Sequence, residues 1–220
     1  GELIINHSPL TETSSPLVLS ALIEGIRQRG LSSLPWTKDL RNWQARLTYI
    51  RNTQDEGSDW PDVSDCHLLE TIEDWLKPYL SGMTSLAEVK RMKLHIPLHA
   101  LLNWKQQQTL EHQAPTHLVV PTGSRVALDY YSQDTPILAV RLQEMFGQAE
   151  TPKLAEGKGS VLLHLLSPAR RPIQVTQDLA SFWKNGYQEV RRELKGRYPK
   201  HFWPDDPLNA QPTRHAKPKR

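Results

Sequence analysis

Residues Pro121-Thr122-Gly123-Ser124-Arg125 follow the apolar run Leu118-Val119-Val120, so a strand-like segment leads into a Gly-Ser step and a cation. That order of residue types suits a phosphate-binding loop, where successive backbone N–H groups curl around an anion. A nucleotide-binding P-loop needs G-x-x-x-x-G-K-[ST] with a helix behind it. Here there is one glycine, no Lys-Ser/Thr pair, and a second β-like run, "RVALDYY". The residues therefore predict a hairpin turn. Arg125, just past the turn, is left as a candidate contact for a ligand.

Other chemistry-bearing residues give weaker patterns. "HIPLH" sets His95 and His99 four apart, on one face of a helix, but Ile96 stands where a zincin carries its Glu. Two polar rings at the edge of a helical core account for it. Cys66 and His67 are adjacent, and neighbours on a helix point in different directions, so they do not make a nucleophile–base pair. No G-x-S-x-G elbow is present.

The richest stretch is "ASFWKNGYQEVRRELKGRYPKHFW". Lys184, Arg191, Arg192, Arg197 and Lys200 are interleaved there with Trp183, Tyr187, Tyr198, Phe202 and Trp203. Cations that track phosphates and rings that stack on bases suit single-stranded RNA. Against this, Trp183 falls on an apolar stripe and belongs to the core, and Tyr198 and Trp203 can pin the helix end. Arg170 and Arg171, in "SPARRP", complete the candidate nucleic-acid contacts.

The charge is uneven. The first 167 residues hold 15 Lys/Arg and 19 Asp/Glu, and the last 53 hold 12 and 5. A basic end on an acidic body calls for an acidic partner, of which nucleic acid is the commonest. One cysteine allows no internal disulfide and no multi-cysteine zinc site, and fits a cytoplasmic protein. No run approaches the roughly 20 apolar residues that span a bilayer, so no membrane partner is expected. The chain opens on Gly1 and an extended-looking "ELII", read as a cut inside a longer protein.

These residues must be positioned by two unlike halves. Residues 1–14 read as an extended lead-in and 15–114 as a helical region. In the latter, Ser15-Pro16 starts a helix that Gly30 stops, Thr37 caps a second and Ser64 caps a third over "DCHLLETIEDWLKPYL". Ser85 and Glu88 form a capping box. Residues 115–207 read as an α+β domain. Its strands are "THLVV", "RVALDYY", "VLLHLL" and "RPIQVT"; "ILAVRLQEMFG" reads as a helix, and Thr176 caps the last helix. Residues 208–220 read as a flexible basic tail. The expected fold class is α+β, with a helical N-terminal half and then a small antiparallel sheet packed with two or more helices.

From about residue 100 the wording resembles the C-terminal domain of HrpB-type bacterial ATP-dependent RNA helicases, DEAH-box proteins of the DEAH/RHA group in superfamily 2. The resemblance lies in "LLNWKQQQTLEHQAPTHLVVPTGSRVALDY", "PILAVRLQEMFG" and "LLHLLSPARRPIQVTQDLASFWKNGYQEVRRELKGRYPKHFWPDDP". "LPW", "WPDVSD" and "DWLKPYLSGMTSLAEV" extend it loosely into the first half. It implies a parent that hydrolyses ATP with Mg²⁺ to unwind or remodel RNA, with the upstream helicase domains of the same polypeptide as partners. No Walker A or D-E-A-H run stands in this sequence, so no catalytic, cofactor-binding or metal residue is assigned. The implied role is an accessory region, monomeric, that binds RNA or braces the motor. The alternative is a protein-interaction platform docking the helicase core or another protein.

Overall fold

The computed structural model describes residues 16–54 and 59–217. It divides into two compact units, Gly1–Arg41 with Pro61–Trp104, and Asn42–Trp60 with Lys105–Arg220. The expected lead-in, 1–14, and the Ser15 cap lie outside the described residues.

The first unit is helical. In α1 (Pro16–Arg29), Val18, Leu22, Ile23 and Ile26 recur at three-to-four spacing and are buried. Gly30 ends the helix at φ 74°, a conformation that a side chain disfavours. Thr37 caps α2 (Lys38–Thr53) by accepting from the Leu40 amide at 3.2 Å, and the division between the units falls inside this helix. The single helix expected after Ser64 is broken into α3 (Asp65–Glu70), α4 (Ile72–Trp75) and a 3-10 turn at Lys77–Leu80. The break is at Thr71, whose hydroxyl bonds back to the His67 carbonyl at 2.7 Å, and Pro78 removes an amide further on. The short helices α5 (Leu86–Val89) and α6 (His95–His99) follow. At α5 the capping box is shifted by one: Ser85 accepts from the Glu88 amide, but the Glu88 carboxylate accepts from the Thr84 amide at 2.7 Å.

The second unit is built on a five-stranded sheet in the order β1-β2-β3-β6-β7. After α7 (Trp104–Gln113), β1 (His117–Val119) and β2 (Arg125–Asp129) form the expected hairpin. The turn closes through Val120 and Ser124, with Gly123 at φ 75°. β3 (Ile137–Arg141) corrects the sequence reading: the first half of the expected helix "ILAVRLQEMFG" is a strand, and only Leu142–Met145 makes a helical 3-10 turn. Leu138, Leu142 and Met145 satisfy a helical period, but Ile137, Leu138 and Val140 are all buried in a central strand. Short apolar runs are ambiguous in this way.

β3 lies parallel to its neighbour β6 (Leu162–Leu166), so the sheet is mixed, not purely antiparallel. A parallel pair needs a crossover. Residues 142–161 supply it, including the small hairpin of β4 (Lys153–Leu154) and β5 (Gly159–Ser160). β7 (Pro172–Thr176) returns antiparallel to β6. The final helix is capped by Asp178, which accepts from the Ser181 amide at 2.8 Å, rather than by Thr176. It runs through α8 (Leu179–Ser181), one π turn at Phe182–Gly186, and α9 (Tyr187–Arg197).

Leu128, Leu138, Val140, Leu163 and Leu165 are buried on one face of the sheet. Phe146, Phe182, Trp183 and Tyr187 form an aromatic cluster with ring centroids 5.1–6.4 Å apart. The C-terminal segment runs back along the unit. Thr213 donates its amide to the Gln143 carbonyl at 3.0 Å, and the Phe202 amide bonds the Ala216 carbonyl at 2.7 Å.

Candidate nucleic-acid interface

Strand alternation leaves the opposite face of the sheet to solvent. Arg125 and Ala127 of β2, Ala139 and Arg141 of β3, and His164 of β6 share this face, and the flanking Val119 and Val175 are 70% and 48% exposed. The β2–β3 ladder pairs Leu128 with Leu138 and Asp129 with Ile137. Continuing that register sets Arg125 against Arg141. Where the ladder stops, a groove of about 540 Å³ opens between residues 124–127 and 139–141. Arg170 and Arg214 also line it, and Leu166 adds to the apolar part of its lining.

Each cation is placed by local structure. Thr122 and Ser124 donate hydroxyls to the same carboxylate oxygen of Glu144, at 3.2 and 2.9 Å, which fixes the Pro121–Ser124 turn from which Arg125 emerges. Arg170 sits at φ 60° in the tight β6–β7 turn. The turn is closed by its own amide to the Ser167 carbonyl and by the Ser167 amide to the Arg171 carbonyl, both at 2.8 Å. Arg141 donates to the Arg214 carbonyl at 3.2 Å, which draws the C-terminal segment to the groove. Arg125, Arg141, Arg170 and Arg214 thus line one groove together with Glu144, and among the described residues none of the four makes an ion pair.

Of the residues expected from sequence, the groove gathers Arg125 and Arg170. Arg171, Lys184, Arg191, Arg192, Arg197 and Lys200 lie outside its lining. Arg191 is engaged within the fold, since its Nε donates to the Trp203 carbonyl at 3.0 Å and it pairs with Asp205 at 2.6 Å. Lys184, Arg192, Arg197 and Lys200 are exposed on the last helix and just beyond it. Several of the interleaved rings are structural. Trp183 donates to the Gln148 carbonyl at 2.7 Å, Trp203 to that of Tyr198 at 3.0 Å, and Tyr187 to that of Pro204 at 2.8 Å. Burial pushes the Tyr187 hydroxyl well above the ordinary phenol range.

Arg141, Arg214 and Glu144 were missed from sequence. Alternation would have put Arg141 on the face of Ala139, but the segment read as a helix. In the first unit, Cys66 donates to Glu70 at 3.3 Å, and that hydrogen bond and charge push its thiol up, away from the nucleophilic thiolate.

Comparison with known proteins matches this architecture to a class. The family described as ATP-dependent helicase C-terminal, HrpB_C, matches residues 75–207, and the chain belongs to that family. Among individual proteins it is 46% identical over 217 residues to the ATP-dependent RNA helicase HrpB of Escherichia coli strain K12. The match takes in 99% of this chain and 27% of that protein. Two solved structures are similar to it. A crystal structure of the E. coli DExH-box NTPase HrpB has TM-score 0.83 and 45% identity, over 96% of this chain and 26% of that one. A crystal structure of the Escherichia coli DEAH/RHA helicase HrpB has TM-score 0.71 and 42% identity, over 92% and 26%. The chain therefore spans about a quarter of the length of these relatives.

Proposed function

We propose that this chain is the accessory C-terminal region of an ATP-dependent RNA helicase, monomeric and cytoplasmic, and that it contributes by holding RNA. The parent hydrolyses ATP with Mg²⁺ to unwind or remodel RNA, and that chemistry belongs to motor domains upstream in the same polypeptide. No phosphate loop or D-E-A-H run stands among the 220 residues, and no nucleotide-binding or catalytic residue is assigned here. No helix among the described residues is long and apolar enough to cross a membrane.

One observation supports the RNA reading above the rest. Four arginines line one groove beside the exposed sheet face against a single carboxylate, Glu144, and guanidinium forks match phosphate oxygens in pairs. Fluorescence anisotropy of a labelled single-stranded RNA titrated with the 220-residue chain tests it. Saturable binding at low salt is the expected result. An unchanged signal, together with capture of separately produced motor domains, would replace RNA holding with the docking-platform reading.

A further inference from the structure

The geometry points to a more specific assignment, which rests on the RNA reading above. The groove between β2 and β3 is a site for the sugar–phosphate backbone of one RNA strand, and it reads no bases. Its lining carries this. The polar side chains are Arg125, Arg141, Arg170, Arg214, Ser124 and Glu144, and the rest are Val126, Ala127, Ala139, Val140 and Leu166. No aromatic ring is present on which a base could stack, and no Asn or Gln to pair with a base edge. Ser124 has committed its hydroxyl proton to Glu144. What remains is cationic forks over a small-residue floor, which match phosphate oxygens in pairs and carry no ring or amide that would select a base.

Two features of the backbone agree with an anionic occupant. Continuing the β2–β3 register brings Arg125 and Arg141 to the same level on the two sides of the opened ladder. A phosphate between them would be shared by both guanidiniums. Arg170, in the same lining, occupies a left-handed conformation uncommon for a residue with a side chain, and its turn is closed by three hydrogen bonds around Ser167. Glu144 does not cancel the site. It holds the Thr122 and Ser124 hydroxyls and so acts as a positioning residue for Arg125.

The test compares oligo(U), oligo(A) and oligo(C) of equal length binding to the 220-residue chain. The variants are Arg125→Gln/Arg141→Gln and, on the last helix, Arg192→Gln. The wild type should bind the three single strands within about threefold of one another. The double variant should lose about tenfold or more on each alike, with the slope of log affinity against log salt reduced by about two. Arg192→Gln should stay within about twofold. Circular dichroism should show both variants folded at the assay temperature, and because Arg141→Gln also gives up the hydrogen bond to the Arg214 carbonyl, Arg125→Gln alone should show part of the same loss on all three strands.

Strong discrimination among the homopolymers would overturn the backbone-only assignment. RNA bound equally by wild type and double variant would place the site elsewhere while leaving the RNA reading intact. Displacement by polyglutamate as readily as by unlabelled RNA would assign the groove to an acidic peptide. No RNA binding by the folded wild type would sink the reading on which the inference rests.

Discussion

Arg125 and Arg141 fall opposite each other on neighbouring strands of one sheet, on its solvent face, at the point where the ladder between those strands has ended. Nothing acidic among the described residues pairs with either. A pair of like charges in this relationship costs stability in the free chain and gains value only when an anion arrives.

Stability and affinity should therefore move in opposite directions at Arg125. Arg125→Gln is expected to leave the fold unchanged or more stable, by roughly 0.2–1 kcal/mol, the size of a cross-strand pair. RNA affinity should fall in the same protein. Urea unfolding measures the first and anisotropy the second. A loss of stability above about 1 kcal/mol would mean that Arg125 has a structural role instead.

A contrasting arginine is structural. Arg46 is 3% exposed and donates from Nε to the Ala114 carbonyl at 2.7 Å and from a terminal nitrogen to Leu110 at 3.4 Å, closing the C-terminal end of α7. Its ion-pair partner, Glu111, is exposed. Arg46→Met should cost about 2–3 kcal/mol by leaving the Ala114 carbonyl unpaired, while the Leu110 carbonyl keeps the Ala114 amide. Glu111→Gln should cost less than about 0.5 kcal/mol, since a largely solvated carboxylate contributes little. Equal costs in chemical denaturation would show that the ion pair, not the capping, matters.

The groove's surroundings carry a pH dependence. His201 hydrogen-bonds Gln143 at 3.1 Å, and burial, with the nearby Arg141 charge second, holds its pKa below the ordinary histidine value. The unfolded chain then binds the proton more readily than the folded one. Its stabilising contribution is full above the unfolded pKa and is lost as pH falls through the folded value. The wild-type melting temperature should drop more than that of His201→Asn between about pH 7.5 and about pH 5. Parallel curves for the two proteins would remove His201 from the account.

Much of this could be read from residue types. Ser64, Ser85 and Thr37 announced helix starts because a short hydroxyl side chain satisfies a free amide, and Gly123 with its flanking β-branched runs announced the hairpin. The site was legible at Arg125 and Arg170, which sit in or beside turns that sequence marks well. It was illegible at Arg141, because Leu138, Leu142 and Met145 fit a helical period while the same short apolar run fits a buried strand. Only pairing with β6, distant in sequence, decides between them. Arg214 was illegible for a related reason. Its neighbourhood reads as a tail, and its place follows from the Thr213 amide bonding the Gln143 carbonyl. The basic run from Lys184 to Lys200 drew attention by density alone, although Arg191 is spent on Trp203 and Asp205.

The central claim concerns where RNA lies, and arginine modification by phenylglyoxal with and without bound RNA, read by peptide mass spectrometry, addresses that directly. Bound RNA should protect Arg125, Arg141, Arg170 and Arg214. Protection confined to Arg192 and Arg197, with the groove arginines reacting as in the free chain, would contradict the account and move the interface to the last helix.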